Sequence, residues 1–142
     1  MERREFIKSS CIACATVIGA GSIASILSSC GTLPSIKGES SGNMITLPES
    51  SFIENQNVMI VKNMKLDYDI FLVKKKDGTY NALYMQCSHQ NQPLTATKTG
   101  LFCSTHGSSF DLEGQVKIQP ATEPLKKFKT TVQNNTIQIQ LI

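Results

Sequence analysis

Tryptophan is missing from this chain, tyrosine occurs three times and histidine only twice. So few large aromatics argue against an aromatic-rich ligand groove. Charge is thin as well. The net formal charge is +3 over 142 residues, far from the concentrated basic stripe that nucleic acid requires. No segment after residue 43 carries sustained helical periodicity, and there are no internal repeats. Hydrophobic residues nevertheless make up 40% of the chain. That supports a modest core, argues against wholesale disorder, and gives room for one domain.

Cysteine is scarce where it matters. Cys11, Cys14 and Cys30 lie in or at the end of an N-terminal apolar run, which leaves Cys87 and Cys103 for the folded body. Small secreted domains usually spend cysteines on disulfides. Here each body cysteine has a histidine close behind it, in Cys87-Ser88-His89 and Cys103-Ser104-Thr105-His106. Two thiols and two imidazoles delivered as matched pairs point to a metal site.

The N-terminus reads as an address. Arg3-Arg4-Glu5-Phe6-Ile7-Lys8 is basic, and an apolar stretch diluted by Gly19, Gly21 and serines follows to Leu27. That layout reads as a bacterial export signal, short of the ~20 strongly apolar residues of a comfortable span, with an uncleaved anchor helix as the alternative. The basic hexapeptide resembles the twin-arginine (Tat) motif, whose route carries folded proteins. Leu27-Ser28-Ser29-Cys30-Gly31 resembles a lipobox, which implies cleavage before Cys30, its lipidation, and attachment to a membrane surface of the bacterial envelope. Gly31 to Asn43 is rich in Ser and Gly, contains Pro34, and reads as a flexible spacer. The expected organisation is a signal over 1–29, a lipidated cysteine and tether over 30–43, and a folded domain over 44–142. The Cys11-Ile12-Ala13-Cys14 spacing lies inside the signal and carries no redox reading.

The body reads as strands. Ile137, Ile139 and Leu141 alternate with Gln138 and Gln140, and Tyr80, Ala82 and Tyr84 alternate with Asn81, Leu83 and Met85. Period two marks strands. Apolar runs at 57–62 and 69–74 are two more, and 125–132 another. Asp77-Gly78, Glu113-Gly114 and Asn134-Asn135 mark tight turns. Short strands at this spacing predict an all-β sandwich or small barrel. Both Cys/His motifs then fall at strand ends, where two hairpin tips can clamp a metal.

Three readings of the four donors compete. A mononuclear zinc suits two Cys and two His, but such sites separate the first pair by two to four residues, and Cys87 and His89 have one between them. Each thiol and imidazole could instead be an isolated, satisfied side chain, a reading that weakens when two such pairs coincide. The third is a two-iron cluster with mixed ligands.

Cys-x-His, a loop, then Cys-x-x-His-Gly-Ser-x-Phe-Asp resembles the Rieske iron–sulfur family. The likeness continues through the hairpin Asp111–Val116 and the proline-bearing segment Gln119–Leu125, and covers about Met44 to Ile142. It implies a Rieske-type antiparallel β-sandwich with a small cluster-binding subdomain of two loops, holding one [2Fe-2S] cluster. Cys87 and Cys103 would bind one iron, and His89 and His106 the other. Gly107 would give the backbone room near the sulfides, and Ser108 would donate to a bridging sulfide. Two thiolates cancel the formal charge of the oxidised core, whereas four would leave it negative. The mixed set therefore takes an electron more readily, at roughly −150 to +300 mV across Rieske centres. The outward nitrogen of each histidine can lose a proton on oxidation, which couples proton to electron.

Several positions depart from quinol-oxidising members of the family. The loop cysteines that form a disulfide there are absent, with Thr105 at one place and Gln92 near the other. Phe110 replaces a tyrosine that bonds a ligand sulfur, and Gln90 replaces an apolar docking residue. Loss of the disulfide and of the tyrosine lowers the expected potential, and together with Gln90 these changes count against quinol oxidation. With both histidines used, no His–His–carboxylate set remains for a mononuclear iron, so an autonomous oxygenase is excluded. The implied function is one-electron transfer by a membrane-tethered envelope protein between redox-protein partners. A subunit of a quinol–cytochrome c reductase-like or arsenite-oxidase-like complex and a zinc-stabilised binding module remain as alternatives. The lysines at 74–76 and at 126, 127 and 129 read as a solvated face. Their functional alternative is a docking patch for an acidic redox partner or an anionic membrane surface.

Overall fold

The computed structural model describes residues 32–141. The expected signal, the lipobox-like segment with Cys30, and Cys11 and Cys14 lie outside the described residues. Among those described there are twelve strands. They are β1 Ser35–Lys37, β2 Glu39–Ser41, β3 Met44–Pro48, β4 Val58–Lys62, β5 Ile70–Lys74, β6 Tyr80–Tyr84, β7 Thr95–Thr97, β8 Gly100–Phe102, β9 Ser109–Phe110, β10 Val116–Ile118, β11 Lys127–Gln133 and β12 Thr136–Gln140. A single 3-10 turn, Glu49–Ser51, follows β3. No described helix is long and apolar enough to cross a membrane.

Eight strands form one sheet in the order β1-β4-β5-β6-β11-β12-β3-β2, and four form a second in the order β10-β9-β8-β7. Neighbours are antiparallel except β1 and β4, which run parallel. The architecture is all-β and, apart from the β1–β4 pair, antiparallel, as the sequence leads one to expect.

Alternation explains the layering. On β5, Ile70 and Leu72 point into one core with Met59, Val61, Tyr80, Ala82, Ile137 and Ile139. Phe71 and Val73 point the other way, into a core with Val58, Leu83, Leu101, Phe110 and both cysteines. The run Ile70–Val73 is therefore continuously apolar because both of its faces are covered. The first core lies inside the curled large sheet. The second lies between the outer face of β4–β6 and the small sheet that carries the Cys/His motifs.

The turns follow their chemistry. The Asp77 carboxylate accepts from the Thr79 N–H and hydroxyl at 2.9 and 2.6 Å, with Gly78 at φ 83°. Asp111 accepts from the Glu113 and Gln115 N–H groups, with Gly114 at φ 75°. Asn134 and Asn135 both take positive φ, as a two-residue hairpin requires.

The expected flexible spacer needs correction. Within residues 31–43, Ser35–Lys37 pairs with β4 and Glu39–Ser41 pairs with β3. These partners are the two edges of the curled sheet, so residues 35–41 stitch it closed. Apart from Ile36, their side chains carry no hydrophobic signal, because backbone pairing with two open edges holds them. The folded body thus begins well before Met44. Gly38 sits at the crossing. A Cβ there would lie 2.3 Å from Ile45 Cγ2 and 3.0 Å from Val61 Cγ1. Gly38→Ala is expected to destabilise the fold by about 1–3 kcal/mol through overpacking, read as a lowered denaturant midpoint with unchanged slope.

Candidate metal centre

Two loops leave the second core at the same end. The first follows β6. Its base is closed by Cys87 N–H to Gln92 O at 2.8 Å and by Leu94 N–H to Met85 O at 3.0 Å. The Tyr68 hydroxyl steadies its tip by donating to Asn91 O at 2.7 Å. The second follows β8 and is tighter. Cys103 N–H donates to Ser108 O at 2.8 Å, and Gly107 N–H returns to Cys103 O at 2.9 Å. Gly107 has φ 84°. A Cβ there would meet nothing within 4 Å. The glycine answers to the dihedral angle rather than to crowding.

The loops bring the four donors together as like with like. Cys87 and Cys103 are buried, at 2% and 1% exposure, and neither forms a disulfide. His89 and His106 are exposed, with ring centroids 5.1 Å apart and planes at 88°. Burial pushes the Cys103 thiol up. Hydrogen bonds from the His106 and Thr105 backbone N–H groups, the Cys87 thiol and the Thr105 hydroxyl outweigh that, and its pKa falls below the ordinary thiol value. A thiol biased towards thiolate is prepared to ligate a metal. Among the described residues, no group of three or more His, Cys, Asp or Glu side chains converges as for a single ion. A buried sulfur pair beside an exposed nitrogen pair suits two metals bridged together better than one tetrahedral ion.

A third segment, residues 119–125, lies against both loops. Ser108 is fully buried, and its hydroxyl oxygen accepts from Ala121 N–H at 3.0 Å. Ser88, between the first cysteine and histidine, donates to Glu123 O at 2.6 Å. Leu125 N–H donates to Gly114 O at 2.9 Å and ties the segment to the hairpin turn. Sequence reasoning singled out Ser108 but missed Ser88 and Tyr68. Their partners are carbonyl groups 35 and 23 residues away, and no local pattern announces such contacts.

The Rieske [2Fe-2S] domain family matches residues 44–129, more than half of the chain. Comparison with curated proteins gives no match. Among solved structures, the plasma-membrane Rieske protein PetC3 of the cyanobacterium Synechocystis PCC 6803 aligns at 23% identity, with a TM-score of 0.51. The alignment covers 59% of this chain and 86% of that one. A chain from the oxygenase–ferredoxin complex of carbazole 1,9a-dioxygenase aligns at 18% identity and TM-score 0.52, covering 69% of this chain and 93% of that one. Naphthalene 1,2-dioxygenase gives 19% identity and TM-score 0.56 over 70% of this chain, but only 26% of its own. These likenesses establish a common fold. Strands β1, β2 and β12 lie outside the family match, so the stitch that closes the sheet is an addition to the matched region. Two Cys/His loops on an all-β scaffold and the family match over most of that scaffold lead to one conclusion: the chain belongs to the Rieske [2Fe-2S] domain family, and it is an electron-transfer protein whose cofactor is a [2Fe-2S] cluster.

Proposed function

We propose that Cys87 and Cys103 hold one iron of the cluster and His89 and His106 the other, in a one-electron carrier tethered to a membrane of the bacterial envelope. The observation that carries the ligand assignment is the segregation of donors, with sulfurs together and buried and imidazoles together and exposed. When bound, the cluster supplies a site that accepts and releases a single electron. The chain's own residues do the rest. The second core keeps water from the thiol side. The exposed imidazoles form the side that a partner's redox group can approach. Segment 119–125, pinned by Ser88 and Ser108, covers the remaining flank.

Ser108 has a second role. Its oxygen accepts from Ala121 N–H, which leaves its own proton available, and with the cluster bound it would donate to a sulfide. Such hydrogen bonds raise the potential. Phe110 offers no hydroxyl to a ligand sulfur, which keeps the potential lower. That combination fits partners that are redox proteins rather than a quinol.

The tether belongs to the same reading. Residues 1–29 act as a Tat-type signal, and Cys30 becomes the lipidated N-terminus. This rests on the twin arginines, the diluted apolar run and the lipobox-like Leu27–Gly31.

Three outcomes are expected. His89→Ala or His106→Ala abolishes the paramagnetic resonance spectrum of the reduced protein, and an unchanged spectrum would refute the ligand assignment. Ser108→Ala strands the buried Ala121 N–H, costing about 1–3 kcal/mol in unfolding experiments, and lowers the midpoint potential, while Ser108→Thr restores the potential. Cys30→Ala prevents signal cleavage and lipid incorporation, checked by mass spectrometry of the membrane fraction. A normally processed, acylated variant would rule out that site.

A further inference from the structure

The two lysine runs, fifty residues apart in sequence, meet in the fold. Lys75 and Lys127 lie 3.7 and 3.8 Å from the same carboxylate oxygen of Glu113. Asn81 donates to that oxygen at 2.7 Å. Lys76 lines the adjoining groove of about 420 Å³, whereas the Lys74 ammonium lies 6.0 Å over the Phe52 and Tyr80 rings on the other face of β5. Lys127 and Lys129 are exposed on either side of buried Phe128 on β11. Lys126 belongs elsewhere, its ammonium folded over the Tyr84 and Phe128 rings. Asp77 and Glu113 are the acids of the patch. Asp77 is engaged by Thr79, and Glu113 is shared by two lysines. Four lysines, Lys75, Lys76, Lys127 and Lys129, face these two carboxylates, so the surface is net positive.

Its place in the sheet identifies the partner. Ile36, Val61, Ile70 and Tyr84 form one row across β1, β4, β5 and β6. Strands β1, β4 and β6 run in the same direction. Cys87 lies three residues beyond that row, and Leu33 lies three residues before it. At about 3.3 Å per residue, the incoming chain and the Cys/His end stand roughly 20 Å apart along the strands. Val73 and Asn81, which adjoin the lysine groove, are on the incoming side of the row, level with Leu33. Leu33 packs against the second core, and Pro34 O accepts from Ile60 N–H at 2.9 Å. The chain is therefore held from Leu33 onward. From Leu33 back to Cys30 is three residues, at most about 11 Å of chain.

A redox partner must approach the Cys/His end, which this patch does not occupy. A membrane holding the chain near residue 30 lies within reach of it. We propose that the lysine surface around Glu113 rests on anionic phospholipid headgroups, which leaves the exposed histidines directed at the aqueous side. The inference rests on the membrane tether of the preceding reading. Juxtamembrane lysines are attracted to anionic lipid within a Debye length, so the contact is sensitive to salt.

The cluster-loaded, anchored chain is reconstituted into vesicles of phosphatidylcholine alone or with phosphatidylglycerol, and lysine reactivity is read by amine acetylation and mass spectrometry. On phosphatidylglycerol vesicles, Lys75, Lys76, Lys127 and Lys129 are expected to react several-fold more slowly, whereas Lys62 and Lys98 are unchanged. The protection disappears on phosphatidylcholine and at high salt. In a Lys75→Glu/Lys76→Glu/Lys127→Glu variant whose resonance spectrum is that of the parent, the remaining Lys129 loses its protection. Equal reactivity on both lipids overturns the proposal, as does protection that arises only on adding an acidic redox protein. Flotation with vesicles at high salt reports the anchor separately. A chain that fails to float overturns the tether and the lipid contact with it, whereas one that floats without lipid-dependent protection overturns the contact alone.

Discussion

Strand β5 is apolar on both faces, and the rest of the molecule answers to that constraint. A sheet with one apolar face can leave the other in water. Phe71 and Val73 do not allow this, because they sit opposite Ile70 and Leu72 in the same strand. A second layer must cover them. The small sheet provides it through Leu101, Phe110 and Val116, with Cys103 just past β8 and Cys87 in the loop that links β6 to β7. The layer needed to complete the core is also the layer that carries the Cys/His loops. Stability and function share one contact surface.

That arrangement gives the site its asymmetry. The cysteines are part of the core, and the histidines follow as the loops turn out of it. Short backbone closures fix how far each loop projects, from Cys87 to Gln92 and from Cys103 to Ser108. Segment 119–125 joins through single hydrogen bonds to each loop. Three stretches of chain distant in sequence thus hold one another. A change in any of them is felt at the site through positions rather than through direct contact.

Electrostatics divide the molecule along the strand axis. The Cys/His end carries the imidazoles, with Glu123, Asp67 and Asp69 close to the first loop. The opposite end, where the chain enters, gathers two lysine runs on one carboxylate. Each run by itself reads as a solvated strand face, since a single lysine cluster on an edge or turn usually is one. Their meeting at Glu113 depends on the β5–β6 hairpin and β11 being neighbours with the Asp111–Gln115 turn folded between them.

Much of this was legible in the residue order, for identifiable reasons. Period-two alternation marks β6 and β12 because a strand repeats every two residues, and Asp-Gly and Asn-Asn mark turns because their dihedral angles demand those residues. The four candidate ligands stand out because Cys and His are rare here and come in two short motifs. Residues 35–41 look like a spacer for a physical reason too. Strands β1 and β2 are held by backbone groups on two sheet edges, and backbone pairing leaves no signature in Ser, Gly and Glu. Ser88 and Tyr68 were invisible in the same way, since each bonds a carbonyl that only the fold brings near. The sequence by itself therefore determined what is local or chemically rare: strand period, turn type and the donor set. Only the tertiary structure decided that sulfur would lie with sulfur and imidazole with imidazole, that the sheet would be stitched shut, and that the lysines would gather away from the histidines. Those outcomes depend on which strands become neighbours, and that choice is made by burial summed over the whole chain.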